Sequence, residues 1–402
     1  MVCRNTTTID TKSVENTISK DDSHSRKGST SKAKLVKIDR LAIERIKLAK
    51  DNLPKEVIYT IQASRRPSTT RIYNATWNTF VKWCIEHHID PTSANEIEVL
   101  LFLQAGLERG LAPSTLKRQV AALATVLEGR NKKSLSQDKR IKSFLRGATN
   151  LRPPKIHRYP SWDINLVLQA LTKSPFEPVA SISIRWLTIK LAFLIAITSA
   201  RRVSEIAALS IRNDLCTFYP DRVVLRLDTT FIPKINSYFH RAQEIVLPNF
   251  CPDPKHTLEK MWHTLDVRRT LISYMKRTAT FRKTEALFVS FLPSSMGKKV
   301  SSNTVGRWIK ACISAAYASQ GVKVPSRVLP HSTRSVATSA AWATQASIEE
   351  ICKAATWSSI SSFVKHYKID SFASADAAFG RRVLQSIISP RQQEKDLETH
   401  PI

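Results

Sequence analysis

From Leu151 to Pro160 the chain reads Leu-Arg-Pro-Pro-Lys-Ile-His-Arg-Tyr-Pro, and no helix can run through it. Each proline removes a backbone donor, fixes φ and pushes the residue before it toward extended geometry. The segment is therefore a stiff linker, spanning 151–160, and it divides the chain into two folding units. A length of 402 residues suits that division, because one hydrophobic core rarely serves so long a chain.

On the N-terminal side the apolar residues keep helical time. Tyr73, Trp77, Phe80, Val81, Cys84 and Ile85 share one face. Asp90-Pro91-Thr92-Ser93 ends that helix and supplies a cap for the next, which spans Glu96 to Leu107 and closes at Gly110. Pro113 opens a third helix with Leu116, Val120, Leu123 and Leu127 inward, and a fourth runs around Gln137 to Arg146. With no strand pattern present, residues 63–150 read as a small helical bundle. Residues 1–62 are rich in Ser, Thr, Lys and Asp, so they read as a basic, largely disordered arm with one short helix between Leu35 and Lys50.

Beyond the linker, residues 161–390 read as a larger helical domain with a little β-structure, followed by a tail at 391–402. Helices are expected from Ser161-Trp162-Asp163 to Leu171, over Ile184 to Ile197, Leu258 to Arg277 and Ser302 to Ser319, and throughout Arg334 to Tyr367. A short amphipathic helix follows over Phe372 to Ile388. The clearest strands are Val223 to Leu227 and Gln243 to Leu247, flanking a basic connection with Lys234, His240 and Arg241. The fold class is thus mainly α, a helical domain plus an α+β domain with a small antiparallel sheet.

Charge narrows the function. The formal net charge is +29, and such an excess of like charge opposes a compact state unless a polyanion accompanies it. Nucleic acid is the first candidate partner and a membrane surface the second. No membrane span is expected: the longest apolar stretch, Trp186 to Ile197, is interrupted by Lys190 and falls short of the roughly 18 residues required. Nor does an apolar leader follow Met1. The six cysteines have no CxxC spacing, so they read as reduced thiols of an intracellular protein. Cys84 with His87 and His88, or Cys251 with His256 and His263, lacks the second half of a zinc site. No metal and no cofactor is expected.

Three segments carry chemistry. They are Thr198-Ser199-Ala200-Arg201-Arg202-Val203-Ser204-Glu205-Ile206, Leu329-Pro330-His331-Ser332-Thr333-Arg334, and Ala355 to Tyr367 with Trp357 near its start. Each alone has an ordinary reading. An Arg after an apolar helix complements the helix dipole, His-x-x-Arg at a helix start is a surface turn, and a Tyr in an aromatic run is core. Their occurrence together, in this order and in so basic a chain, favours a shared site.

On these residues the sequence resembles the tyrosine recombinase (phage integrase-type) family over about residues 65–390. Val203-Ser204-Glu205-Ile206 sets the register of the family's first arginine at Arg202, with Arg201 in the variable place before it. His331 and Arg334 match its H-x-x-R, Trp357 stands where His or Trp occurs, and Tyr367 takes the place of the nucleophile. The detail looks most like recombinases of eukaryotic mobile elements, such as DIRS and Ngaro-type retroelements or Cryptons. The resemblance implies a SAM-like helical core-binding domain and an α+β catalytic domain. It also implies a double-stranded DNA partner and a tetramer on paired sites, with the segment after Tyr367 docking into a neighbour. Lys234, on the connection between the strands, is the best match for the family's general-acid lysine, with His240 and Arg241 as rivals for a place at the phosphate. Glu205 reads as structural, holding nearby backbone or Arg202. In a eukaryotic host the protein would work in the nucleus, otherwise in the cytoplasm.

The chemistry suits these residue types. A tyrosine nucleophile keeps the phosphate in a covalent bond, ready for rejoining. With a reference pKa of about 10, only about one part in a thousand of it is ionised at pH 7, a deficit of roughly 4 kcal/mol. Two guanidiniums bracketing the phosphate oxygens help to make this up. His331 is the candidate proton acceptor, or a further phosphate ligand. Trp357 can donate one N–H but cannot exchange a proton; simple packing is the alternative. Two other functions fit less of the pattern: strand relaxation of the type IB topoisomerase kind, and DNA binding by a chain whose site has decayed.

Overall fold

The computed structural model describes residues 39–128, 134–154, 162–326 and 328–357. The chain forms two compact units, 1–155 and 156–402.

In the first unit the helices are α1 (Arg40–Ala49), α2 (Lys55–Ala63), α3 (Pro67–Glu86), α4 (Glu96–Glu108), α5 (Pro113–Leu123) and α6 (Lys139–Leu151). The expected periodic face of α3 is buried at Trp77, Phe80, Val81 and Cys84, while Ile85 is exposed. Phe80 meets Phe102 of α4 edge-on at 5.1 Å between centroids, the favoured geometry for aromatic pairs. Asn95 and Glu98 form a reciprocal capping box at the start of α4, in which Glu98 accepts from the Asn95 backbone at 2.7 Å.

The expected arm needs correction over 39–62. Two helices stand there, and Arg40 is buried rather than solvated. Its guanidinium donates to Asn74 at 2.8 Å, to Thr125 at 2.9 Å and to Glu44 at 3.2 Å. A cation can leave water only when its donors are met in this way. Residues 1–38 lie outside the described residues.

The second unit contains α7 (Ile164–Leu171), α8 (Ile184–Ser199), α9 (Val203–Ile206), β1 (Cys216–Phe218), β2 (Arg222–Leu225), α10 (Tyr238–Arg241), β3 (Ile245–Pro248), α11 (Thr257–His263), α12 (Val267–Thr278), α13 (Ser302–Ser319), α14 (Ser332–Ala343) and α15 (Ile348–Ala354). Residues 187–196 of α8 are buried on every side, and α12, α13 and α14 pack around it. A helix apolar all round belongs at a core centre. The sheet order is β1-β2-β3, antiparallel throughout, with Val223 opposite Leu247 and Leu225 opposite Ile245 on its buried face. The third strand, β1, had no alternation to announce it. The helix expected from Leu258 to Arg277 is two, because buried Asp266 caps α12 by accepting from the Arg269 backbone. No described helix is long and apolar enough to cross a membrane.

The charge inside α8 is also met. Lys190, 0% exposed, donates to the Leu171 carbonyl at 3.0 Å and to the Glu177 carboxylate, which Arg269 holds at 3.0 and 3.1 Å. Burial pulls the Lys190 ammonium down to about 8, although Glu177 opposes this. Burial alone would raise the Glu177 carboxyl, but Arg269 and Lys190 bring it below its usual range. Removing one partner of such a group typically costs about 3–5 kcal/mol. Glu177→Ala is therefore expected to lower the unfolding free energy of the second unit by about that much, far beyond a surface substitution, and so to lower its urea midpoint; an unchanged midpoint would contradict the assignment.

Candidate functional site

Helix α8 ends at Ala200, whose φ of 49° is left-handed, a geometry that turns the chain sharply. Arg201 and Arg202 follow at once. Arg201 is buried and donates from Nη2 to the Glu244 carbonyl at 2.6 Å, fastening the entry to β3. Burial lowers its guanidinium to about 10, against the pull of Glu205. Arg202 is half-buried at the start of α9. Its Nη1 donates to Glu205 at 2.9 Å, and its backbone N–H donates to the same carboxylate at 3.3 Å. Glu205 thus holds both the Arg202 side chain and its backbone. Among the described residues, Arg202 Nε and Nη2 form no hydrogen bond, which leaves one edge of the fork for an oxyanion.

The second arginine is carried by α14, which packs against α8. His331 is exposed at the start of α14, and Arg334 lies inside its first turn, 4% exposed. The turn before them is pressed against α13: a Cβ on Gly306 would stand 3.2 Å from Pro330 Cγ. Arg334 donates from Nη2 to the Ala355 carbonyl, and its guanidinium carbon lies 4.8 Å from the centroid of the Trp357 ring. That ring sits where a cation–π contact is favourable. Trp357 is placed by the end of α15, where Thr356 takes a left-handed φ of 51° and the Trp357 N–H donates to the Cys352 carbonyl at 2.8 Å.

What joins the two arginines is a buried apolar cluster of Ala200, Ala337, Ile351, Cys352, Ala355 and Trp357. Ala200 immediately precedes Arg201-Arg202, Ala337 lies one turn beyond Arg334, and Ala355 and Trp357 touch Arg334 directly. The structure therefore brings the segment that leads into Arg202 together with those that carry Arg334 and Trp357, with His331 a helical turn from Arg334. Lys234 lies exposed on the connection between β2 and β3. Tyr367 and the segment Phe372 to Ile388 lie outside the described residues.

The two rivals on that connection part company. Arg241 is exposed and donates to Asn236 at 2.6 Å. His240 is buried, and its Nδ1 is 2.7 Å from Ser237 Oγ. Burial pulls its imidazole down, with Arg202 and Arg201 adding to the effect, while Glu205 and the Thr356 backbone oppose it. Position in sequence could not rank these neighbours; only the fold of α10 turns one inward. Burial pushes the Cys84 thiol up to about 12, and His263 Nδ1 is 2.8 Å from the Cys251 carbonyl. Among the described residues no set of three His, Cys, Asp or Glu side chains is grouped to hold a metal ion.

No protein-family model and no curated protein matches the sequence. Solved structures do. XerH site-specific recombinase, in a post-cleavage complex with a palindromic difH substrate, matches with a TM-score of 0.50 and 14% identity over 80% of this chain and 82% of that one. A lambda integrase dimer bound to a COC′ core site matches at 0.45 and 15%, over 83% and 77%. The Tn1549 transposon integrase with a circular intermediate DNA matches at 0.46 and 13%, over 85% and 99%. The fold is that of the XerH recombinase: mainly helical, with a small antiparallel sheet.

If Trp357 holds the site together, its loss should show in stability. Trp357→Ala should cost about 3–5 kcal/mol through the cavity and the lost cation–π contact, and Trp357→Phe no more than about half of that. Urea unfolding measures both. Equal, negligible effects would show that the ring is not a structural part of the site.

Proposed function

We propose that this chain is a site-specific DNA recombinase that cuts and rejoins strands through a covalent 3′-phosphotyrosine intermediate, and that it comes from a mobile element. The observation that supports this reading is that the segments carrying Arg202 and Arg334 meet at one apolar cluster, in a fold shared with XerH recombinase. The opposed ends of two helices offer guanidiniums to a single phosphodiester, as transition-state charge stabilisation requires.

In this mechanism Arg202 and Arg334 hold the non-bridging oxygens. The phenolic oxygen of Tyr367 attacks phosphorus, its proton passes to His331, and the bond from phosphorus to the 5′ oxygen breaks. Lys234 gives that oxygen a proton. Rejoining runs the same steps in reverse, so the reaction needs no cofactor. Glu205 keeps Arg202 extended toward the phosphate, and Trp357 keeps Arg334 in place. The net charge of +29 supports a duplex DNA partner, whose phosphates would release counterions on binding. Assembly as a tetramer on paired sites, and a nuclear location in a eukaryotic host, belong to the same proposal.

The test uses the full chain and a pool of nicked duplexes with randomised sequence. Cleavage next to a nick releases a short fragment and strands the protein on the DNA. Wild-type protein should yield an adduct that survives detergent, with the phosphate mapped to Tyr367 by mass spectrometry, and Tyr367→Phe should yield none. An adduct that persists in that variant would overturn the choice of nucleophile, and no adduct from the wild type would overturn the enzymatic reading. Relaxation of plasmid without strand exchange between duplexes would point to topoisomerase chemistry instead.

A further inference from the structure

His240 is 5% exposed, and its two ring nitrogens have different surroundings. Ser237 Oγ accepts from the His240 backbone N–H at 3.4 Å and lies 2.7 Å from Nδ1. The serine hydroxyl has a proton to donate to Nδ1, and in that arrangement the proton of the neutral ring sits on Nε2. Nε2 is buried and has no hydrogen-bond partner among the described residues. The Thr356 backbone also acts on the ring, in the sense that favours its charged form.

The other groups acting on this ring are the Arg201 and Arg202 guanidiniums and the Glu205 carboxylate, with Phe239 packed edge-on at 5.2 Å between centroids. Burial favours the neutral ring, and the two cations add to this. They also make this a place where an acceptor oxygen carrying negative charge is favoured over a water or a neutral carbonyl. Buried polar atoms are nearly always paired, and an exception calls for a missing partner. Arg202 has a free edge of its own in the same neighbourhood.

We propose that His240 is a phosphate-contacting catalytic residue, donating its Nε2–H to a non-bridging oxygen of the phosphodiester that Arg202 holds while Ser237 fixes the ring through Nδ1. The proposal rests on the reading of the site as one for DNA strand cleavage. It assigns His240 no proton transfer: the hydrogen bond is made in both the neutral and the charged form of the ring. It also separates His240 from Lys234, which serves the leaving 5′ oxygen.

The test takes the full chain and the duplex enriched from the randomised pool, under single turnover. His240→Ala is expected to slow adduct formation about 100-fold, the scale of one lost oxyanion donor. His240→Gln, whose amide nitrogen reaches close to the place of Nε2, should stay within about tenfold of wild type, while His240→Asn, which matches Nδ1, should not. A second duplex carries sulfur in place of the 5′ bridging oxygen, a leaving group that needs no proton. It should restore Lys234→Ala and leave His240→Ala slow. Thermal melting of the variants, held near wild type, separates this outcome from misfolding. Wild-type cleavage by His240→Ala would overturn the proposal, as would its rescue by the sulfur duplex, or a well-folded His240→Gln no faster than His240→Ala. Failure of the wild type to form an adduct would instead count against the parent reading.

Discussion

Everything in the candidate site hangs on the contact between the end of α8 and the turn that follows α15. Small side chains make it: Ala200, Ala337 and Ala355 let backbones approach, and Trp357 fills what remains. Both sides reach the contact through left-handed residues, Ala200 and Thr356. For residues with a Cβ that geometry costs roughly 1–2 kcal/mol each, so packing must over-determine it. Strain of this kind gathers where a chain must aim a side chain rather than merely fold. Here it falls at Ala200, just before Arg201 and Arg202, and at Thr356, between the Ala355 and Trp357 that hold Arg334.

The chain's positive charge is handled in two different ways. Lys190, Arg40 and Arg201 are buried, each tied to a carboxylate or a carbonyl inside the protein. Arg202 differs: half-buried, fixed along one edge by Glu205, with the other edge unbonded among the described residues. A group so arranged loses little entropy when an anion arrives, because its geometry is already set. Near it, His240 is buried with Nε2 unbonded among the described residues. Among the described residues, Glu205 is the carboxylate that holds Arg202 in place.

Much of the fold was legible because long apolar faces keep helical period over many turns, as Trp77, Phe80 and Cys84 do in α3, and Leu116, Val120 and Leu123 in α5. Helix α13 could be read to the residue from its serine cap and apolar stripe. Legibility failed where tertiary contacts overrule composition. Arg40 in a polar, basic stretch reads as solvated until Asn74 and Thr125, distant in sequence, are seen to receive it. Strand β1 is only Cys216–Phe218, too short to show alternation. In the site, the motif around Val203-Ser204-Glu205-Ile206 distinguished Arg202 from Arg201, and the structure gives the two different tasks. The inward turn of His240 had no such signal, since it depends on a one-turn helix within the connection from β2 to β3.

The central claim is that Arg202 and Arg334 act on one phosphate. A double-mutant cycle tests it most directly: Arg202→Lys and Arg334→Lys, singly and together, with the rate of single-turnover strand cleavage as readout. Lysine keeps the charge but not the bidentate fork. If each arginine works only on a phosphate that the other also holds, the double variant should fall within about tenfold of the worse single one. Losses that multiply in full would place the two arginines at independent tasks and contradict the account.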